Sequence, residues 1–273
     1  MTSTTLRLNR DLVALEAFTT SDVVGLLKNV FPSIKESFDG FMARFSPNEQ
    51  GLALTGSQKV FLHDLAKHNY ADVGPLTAFV PEGLAVSYLE YAIVLENAVN
   101  HCAHLMDHVL VPYSAYLAAL VTNTEQKLSG QNIRLDYPAM AKERDAYNGA
   151  LGQCFTPGSS RAETTIAKVI KRNADWPAVF STIDNLVQTM NKVDRRLLKR
   201  KMDECTDLLD RISAKIKRDE FEGLNPQVLD NLADGAYQVA SELEFYSVIY
   251  YKVLALTESV NQTVKHFGSV FKQ

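Results

Sequence analysis

A seven-residue apolar repeat in the C-terminal part of this chain constrains its fold more than any other feature. Leu229, Ala236, Leu243, Tyr250, Thr257, Val264 and Phe271 stand seven apart, and Leu232, Val239, Tyr246, Val253, Val260 and Phe267 each follow three residues behind. Spacing of 3-4-3-4 lays an apolar stripe along a helix, and such a stripe predicts burial against other helices. With Asn225 as its cap, a helix from Pro226 to the last residue would reach roughly 65–70 Å at a rise of about 1.5 Å per residue. Phe245, Val248, Ile249, Leu254 and Leu256 lie off the stripe. They predict burial on more than one face, which a two-stranded coiled coil does not provide.

Two further seams follow the same rule. Leu84, Tyr88, Tyr91, Leu95, Ala98, Cys102, Leu105 and Val109 predict a helix over 81–111, opened by Pro81-Glu82 and bent at Pro112. A third helix is expected from Asp175-Trp176-Pro177 to about Asp219. Its seam runs Ile183, Leu186, Met190, Val193 and Leu197, then shifts by one residue to Leu198, Met202, Cys205, Leu209, Ile212 and Ile216. Such a phase change reads as a local alteration of supercoil. Glu222-Gly223-Leu224-Asn225-Pro226 turns the chain into the last helix, so these two should form a hairpin spine.

Shorter helices are expected over Ser21 to Phe45, with Pro32 as a kink, from Ser57, and over Pro138 to Gln153. Asn69 to Phe79 reads as irregular, Ser129 to Asn132 as a turn, and Thr164 to Ile170 as either a strand or a helical turn. Cys154-Phe155-Thr156-Pro157-Gly158-Ser159-Ser160-Arg161 is the strongest linker signal. The expected fold is all-α: an elongated antiparallel helical bundle with three long heptad-patterned helices and shorter accessory helices. Residues 1–153 would form an N-terminal helical region and 162–273 a C-terminal helical hairpin packed with it.

Composition narrows the function classes. The net charge of −4 over 273 residues gives no whole-chain case for nucleic acid or a membrane surface. Leu84 to Val121, the most apolar stretch, is interrupted by Glu90, Glu96, three histidines, Asp107 and Pro112, and reads as too polar for a membrane span. Cys102, Cys154 and Cys205 are widely spaced without a Cys-x-x-Cys, so they read as buried hydrophobes in a reducing compartment. Gly-x-Ser-x-Gly, Walker-type and Gly-x-Gly-x-x-Gly motifs do not occur.

Three of the six histidines, His101, His104 and His108, fall within eight residues. On a helix they lie within about 60° of one another, and i, i+3, i+4 spacing lets imidazoles converge on Zn²⁺ or iron. Glu90 and Asn97 extend the same stripe. The Glu-x-x-His pairs of bundle di-metal sites are missing. The leading expectation is therefore that these histidines edge a helix contact or a subunit interface, with a metal site as the alternative.

The segment Leu62-His63-Asp64-Leu65-Ala66-Lys67-His68 resembles the His-Asp signature of the HD-type metal-dependent phosphohydrolases. The resemblance covers seven residues and implies His63 and Asp64 as metal ligands. That family also uses an upstream histidine, and none precedes His63 in this chain.

Lys192, Arg195, Arg196, Lys199, Arg200 and Lys201 form a basic cluster containing one acid, Asp194. It reads as an outward helix face salt-bridged to the acids that follow, through Lys199–Asp203, Arg200–Glu204 and Asp207–Arg211. Its functional alternative is a patch for an anion or acidic partner, formed by Lys192, Arg195, Arg196, Lys199 and Arg200. The aromatic group Phe245, Tyr246, Tyr250 and Tyr251 reads first as core and second as a partner face.

The expected function is non-enzymatic: a helical structural or assembly subunit of a larger complex, a virus or phage particle being one such complex. Its partners would be protein subunits, self or other, with no cofactor and no membrane span, in the cytoplasm of the cell or of a host. Metal binding, or a metal-dependent enzyme, through the three histidines is the alternative, and a nucleic-acid or acidic-partner adaptor comes after it.

Overall fold

The computed structural model describes residues 76–122, 137–172, 175–218 and 226–270, together with Gly56. The expected helices over Ser21 to Phe45 and from Ser57, the His63-Asp64 motif, and the turns at 129–132 and 222–225 lie outside the described residues.

Among the described residues the chain is all-α apart from one small sheet. In chain order the elements are β1 (Thr77–Phe79), α1 (Tyr88–Ala103), a π-helical turn (Met106–Leu110), α2 (Val111–Thr122), α3 (Tyr137–Gln153), β2 (Glu163–Thr165), α4 (Ile166–Val169), α5 (Asp175–Lys192), α6 (Arg195–Lys217) and α7 (Pro226–Val270). Contacts group them into two units, each drawing residues from both sides of the 154–161 connection. One unit holds residues 104–122, 137–141, 194–218 and 226–245; the other holds 76–103, 142–172, 175–193 and 246–270.

In the second unit α1 packs on α5. The helix does not start at Pro81-Glu82 but at a capping box. The Ser87 N–H donates to Glu90 Oε2 at 3.0 Å, and the Glu90 N–H donates to Ser87 Oγ at 3.2 Å. Each side chain thus satisfies a backbone donor that the first helical turn leaves without a partner. Residues 80–85 instead clasp the 154–162 segment through four backbone bonds of 2.8–3.0 Å: Val80 N–H to Ala162 O, Gly83 N–H to Arg161 O, Ala85 N–H to Cys154 O and Thr156 N–H to Gly83 O. Gly83 has φ +77°, and a Cβ there would lie 2.8 Å from Ser159 O. The segment that reads as a linker is therefore bound to the core beside it.

β1 and β2 pair antiparallel with Ala78 opposite Thr164. The ambiguous stretch Thr164 to Ile170 resolves as both of its readings, the end of β2 followed by the single turn of α4. The other edge of β1 is closed by side chains. The Phe79 N–H donates to Thr263 Oγ1 of α7 at 2.9 Å, and the Tyr88 hydroxyl donates to the Phe79 carbonyl. A bare strand edge is thereby capped without a third strand. Behind it Trp176, fully buried, stacks on Phe180 with ring centres 5.5 Å apart and meets the edge of Phe267 at 6.3 Å. Pairs of this kind contribute about 0.5–1.5 kcal/mol beyond area burial.

In the first unit α2 packs on α6. The predicted third helix is two helices. The chain breaks at Val193-Asp194, where Asp194 Oδ1 accepts the N–H groups of Arg196 (2.9 Å) and Leu197 (3.1 Å) and so caps α6. The one-residue phase shift marks this restart rather than a change of supercoil. From there Leu198, Met202, Cys205, Leu209 and Ile212 are buried along one face. The bend expected at Pro112 takes the form of the π turn just before it, closed by Val111 N–H to Met106 O. Proline lacks an N–H and its ring crowds the carbonyl four residues back, so widening the preceding turn relieves both problems.

Every described residue of the C-terminal stripe whose burial is defined is buried, from Ala236 to Phe267. Of the off-stripe residues, Phe245, Ile249 and Leu256 are buried, Leu254 is half-buried and Val248 is exposed.

Candidate functional site

The histidine group divides. His101 is buried, with Nδ1 3.4 Å from Glu143 Oε2 on α3 and its ring against Tyr147 at 5.5 Å. His104 and His108 are exposed, and their ring centres lie 5.0 Å apart at an interplanar angle of 59°. The His108 N–H still donates to the His104 carbonyl at 2.9 Å, so the two stand one α-type turn apart at the start of the π segment. Among the described residues no group of three or more His, Cys, Asp and Glu side chains is placed to hold a metal ion.

Of the basic cluster, Arg196, Lys199 and Arg200 are exposed on α6, and Lys192 is exposed at the end of α5. Arg195 begins α6, and its side chain lies outside the described residues. Lys201 turns toward the helix packing and binds Glu204 at 2.7 Å. Glu204 also accepts a hydrogen bond of 2.7 Å from the buried Ser114 on α2. Its carboxyl is held below the usual range by Lys201 first and by Ser114 second. The acid expected to neutralise Arg200 thus bridges the α2–α6 contact, leaving the basic face of α6 in water.

Glu90 carries more than its cap. Lys171 Nζ lies 2.5 Å from Glu90 Oε1, and with the two Ser87 contacts this lowers the carboxyl to about 2. Lys171, Ser87 and Glu90 therefore make a satisfied structural cluster.

A second group had no place in the sequence reading. Lys252 Nζ stands 4.5 Å from the centre of the Phe155 ring, and Tyr91 meets that ring edge-on at 5.3 Å. Burial lowers Lys252 from the ordinary lysine value and raises Cys154, while each opposes the other's shift through its charge. The Tyr91 hydroxyl is buried without a hydrogen-bond partner among the described residues. Burial favours the neutral thiol of Cys154, and it pushes Cys205 up to about 12. A cation over an aromatic face contributes about 0.5–2 kcal/mol, so Lys252 serves the packing of the 154–162 segment. One signal was visible in advance: Lys252 is the only charged residue between Phe245 and Leu256.

The run Tyr88–Thr122 is long and apolar enough, by length and composition alone, to cross a membrane, with a mean hydropathy of 1.3 in its best 18-residue window. The stretch read as too polar for a span therefore passes that test. Of that window 56% is buried inside the structure, and a helix apolar on most sides is also what a protein core requires. Comparison with protein-family models, with curated proteins and with solved structures finds no match for this chain.

Proposed function

We propose that this chain is a non-enzymatic helical subunit that associates with copies of itself or with other protein subunits. The observation supporting this reading is the set of large apolar side chains left in water on helices whose other faces are packed. In the second unit Val248 and Tyr251 are each 39% exposed and stand i, i+3 on one face of α7, while Ile93 on α1 is 48% exposed. Single apolar residues on a surface are ordinary, but neighbours on one helix face make a patch of the kind that partners cover. Tyr251 also meets Tyr250 edge-on at 6.1 Å, and tyrosine is enriched in interface cores.

Light scattering over a wide concentration range tests the reading. The wild-type chain should form species heavier than the monomer, and Val248→Glu with Tyr251→Glu should shift the mass downward while far-UV circular dichroism stays unchanged. Both side chains reach water, so the introduced carboxylates can be solvated. A chain that is monomeric at every concentration, or association indifferent to both charges, would refute the reading.

A further inference from the structure

His104 and His108 have a ring separation that one tetrahedral ion can bridge. With Zn–N bonds of about 2.0–2.1 Å, each ring centre stands about 3.2 Å from the ion, and a tetrahedral angle then sets two ring centres about 5.2 Å apart. The observed separation is 5.0 Å. Both rings reach water, and among the described residues their ring contact is with each other, whereas His101 is held by Glu143 and Tyr147. The turn between them is closed by its own backbone bond, which fixes the spacing of the two residues where α1 passes into the π turn.

Two ligands leave a tetrahedral ion half-coordinated, and among the described residues no third His, Cys, Asp or Glu joins them. Beyond the π turn Val111, 41% exposed, and Ala115 also reach water. A surface that offers two ligands and leaves two coordination positions open is suited to meet itself across a twofold axis, where one patch serves both subunits. We propose that His104 and His108 chelate a divalent late transition ion such as Zn²⁺, and that the same two histidines of a second copy complete its coordination. The second half of this proposal rests on the assembly reading; the chelate itself does not.

The test uses the untagged full chain, stripped with EDTA and titrated with Zn²⁺ alone. Calorimetry should give one ion per two chains, and light scattering a doubling of the metal-free mass that EDTA reverses. His104→Gln and His108→Gln, both at exposed positions, should each weaken Zn²⁺ binding at least tenfold and abolish the mass change. Zn²⁺ affinity unchanged in both variants would overturn the site. Saturation at one ion per chain without a change of mass would overturn the bridge. Association that persists in EDTA and in both variants belongs to the assembly reading alone, so the bridge can fail while that reading stands.

Discussion

Gly235→Ala places a better helix former inside α7 and should nevertheless destabilise the protein. A Cβ built on Gly235 lies 2.2 Å from Cε2 and 2.5 Å from Cδ2 of Tyr113 on α2. Carbon atoms rest at about 3.5–4.0 Å, so the ring would have to retreat by about 1.3–1.8 Å. Tyr113 is fully buried, and a close-packed interior offers no such space. Overpacking of this kind costs about 1–3 kcal/mol, against a helix-propensity gain of about 1 kcal/mol. The same substitution at Gly149 on α3, where nothing lies within 4 Å of the new methyl, should show only the gain. Urea unfolding followed by circular dichroism should therefore move the midpoint down for Gly235→Ala and up for Gly149→Ala, with the slope unchanged in both. Adding Tyr113→Leu should offset part of the Gly235→Ala loss, with a coupling of about 1 kcal/mol or more. If Gly235→Ala stabilises as Gly149→Ala does, or if the two sites do not couple, the close approach of α7 to Tyr113 is wrong.

Other contacts give simpler tests. Thr263→Val removes the acceptor of the Phe79 N–H and should cost about 1–3 kcal/mol in urea unfolding, because a partly buried donor is left unpaired. Asp194→Ala removes the cap of α6 and should cost about 1 kcal/mol, with Asp194→Asn recovering most of it; equal losses would count against a capping role. Glu90 has its folded pKa depressed from 4.5 to about 2, so its contribution is full above pH 4.5 and is lost as pH falls toward 2. Because the side chain is half-exposed, solvent screening holds that contribution to about 1 kcal/mol, and Glu90→Gln should flatten this part of the acid-stability curve. Cys205 should resist alkylation at pH 8 in the native protein and react on unfolding.

The helices were legible in the sequence because burial repeats along them, and their ends were legible only where a side chain announces them. The C-terminal stripe needs nothing beyond its own spacing, and α3 and the start of α5 follow from Pro138 and from Asp175-Trp176-Pro177. Asp194 was visible as a helix-capping residue type at the point where the seam slips, and the slip and the cap are one event. At α1 two start signals competed, Pro81-Glu82 and Ser87-x-x-Glu90. The capping box prevails because residues 80–85 spend their backbone donors and acceptors on the 154–162 segment, a partner some 75 residues away that local spacing does not register. β1, in the stretch read as irregular, fails for the same reason: three residues carry no periodicity, and what closes the strand's free edge is Thr263 and Tyr88 from other elements.

The histidines show the same boundary between local and distant information. On an isolated helix 101, 104 and 108 share one stripe, and spacing treats them alike. What separates them is α3, which brings Glu143 and Tyr147 against the first and leaves the other two in water. The basic cluster behaves similarly, since Ser114 on α2 draws Glu204, and Lys201 with it, into the α2–α6 contact. In both cases the distant partner removes one member of a charge-bearing run and leaves a smaller exposed set: a histidine pair on one face, and Arg196, Lys199 and Arg200 on another. Those remainders, rather than the runs themselves, are what the packing leaves exposed to water.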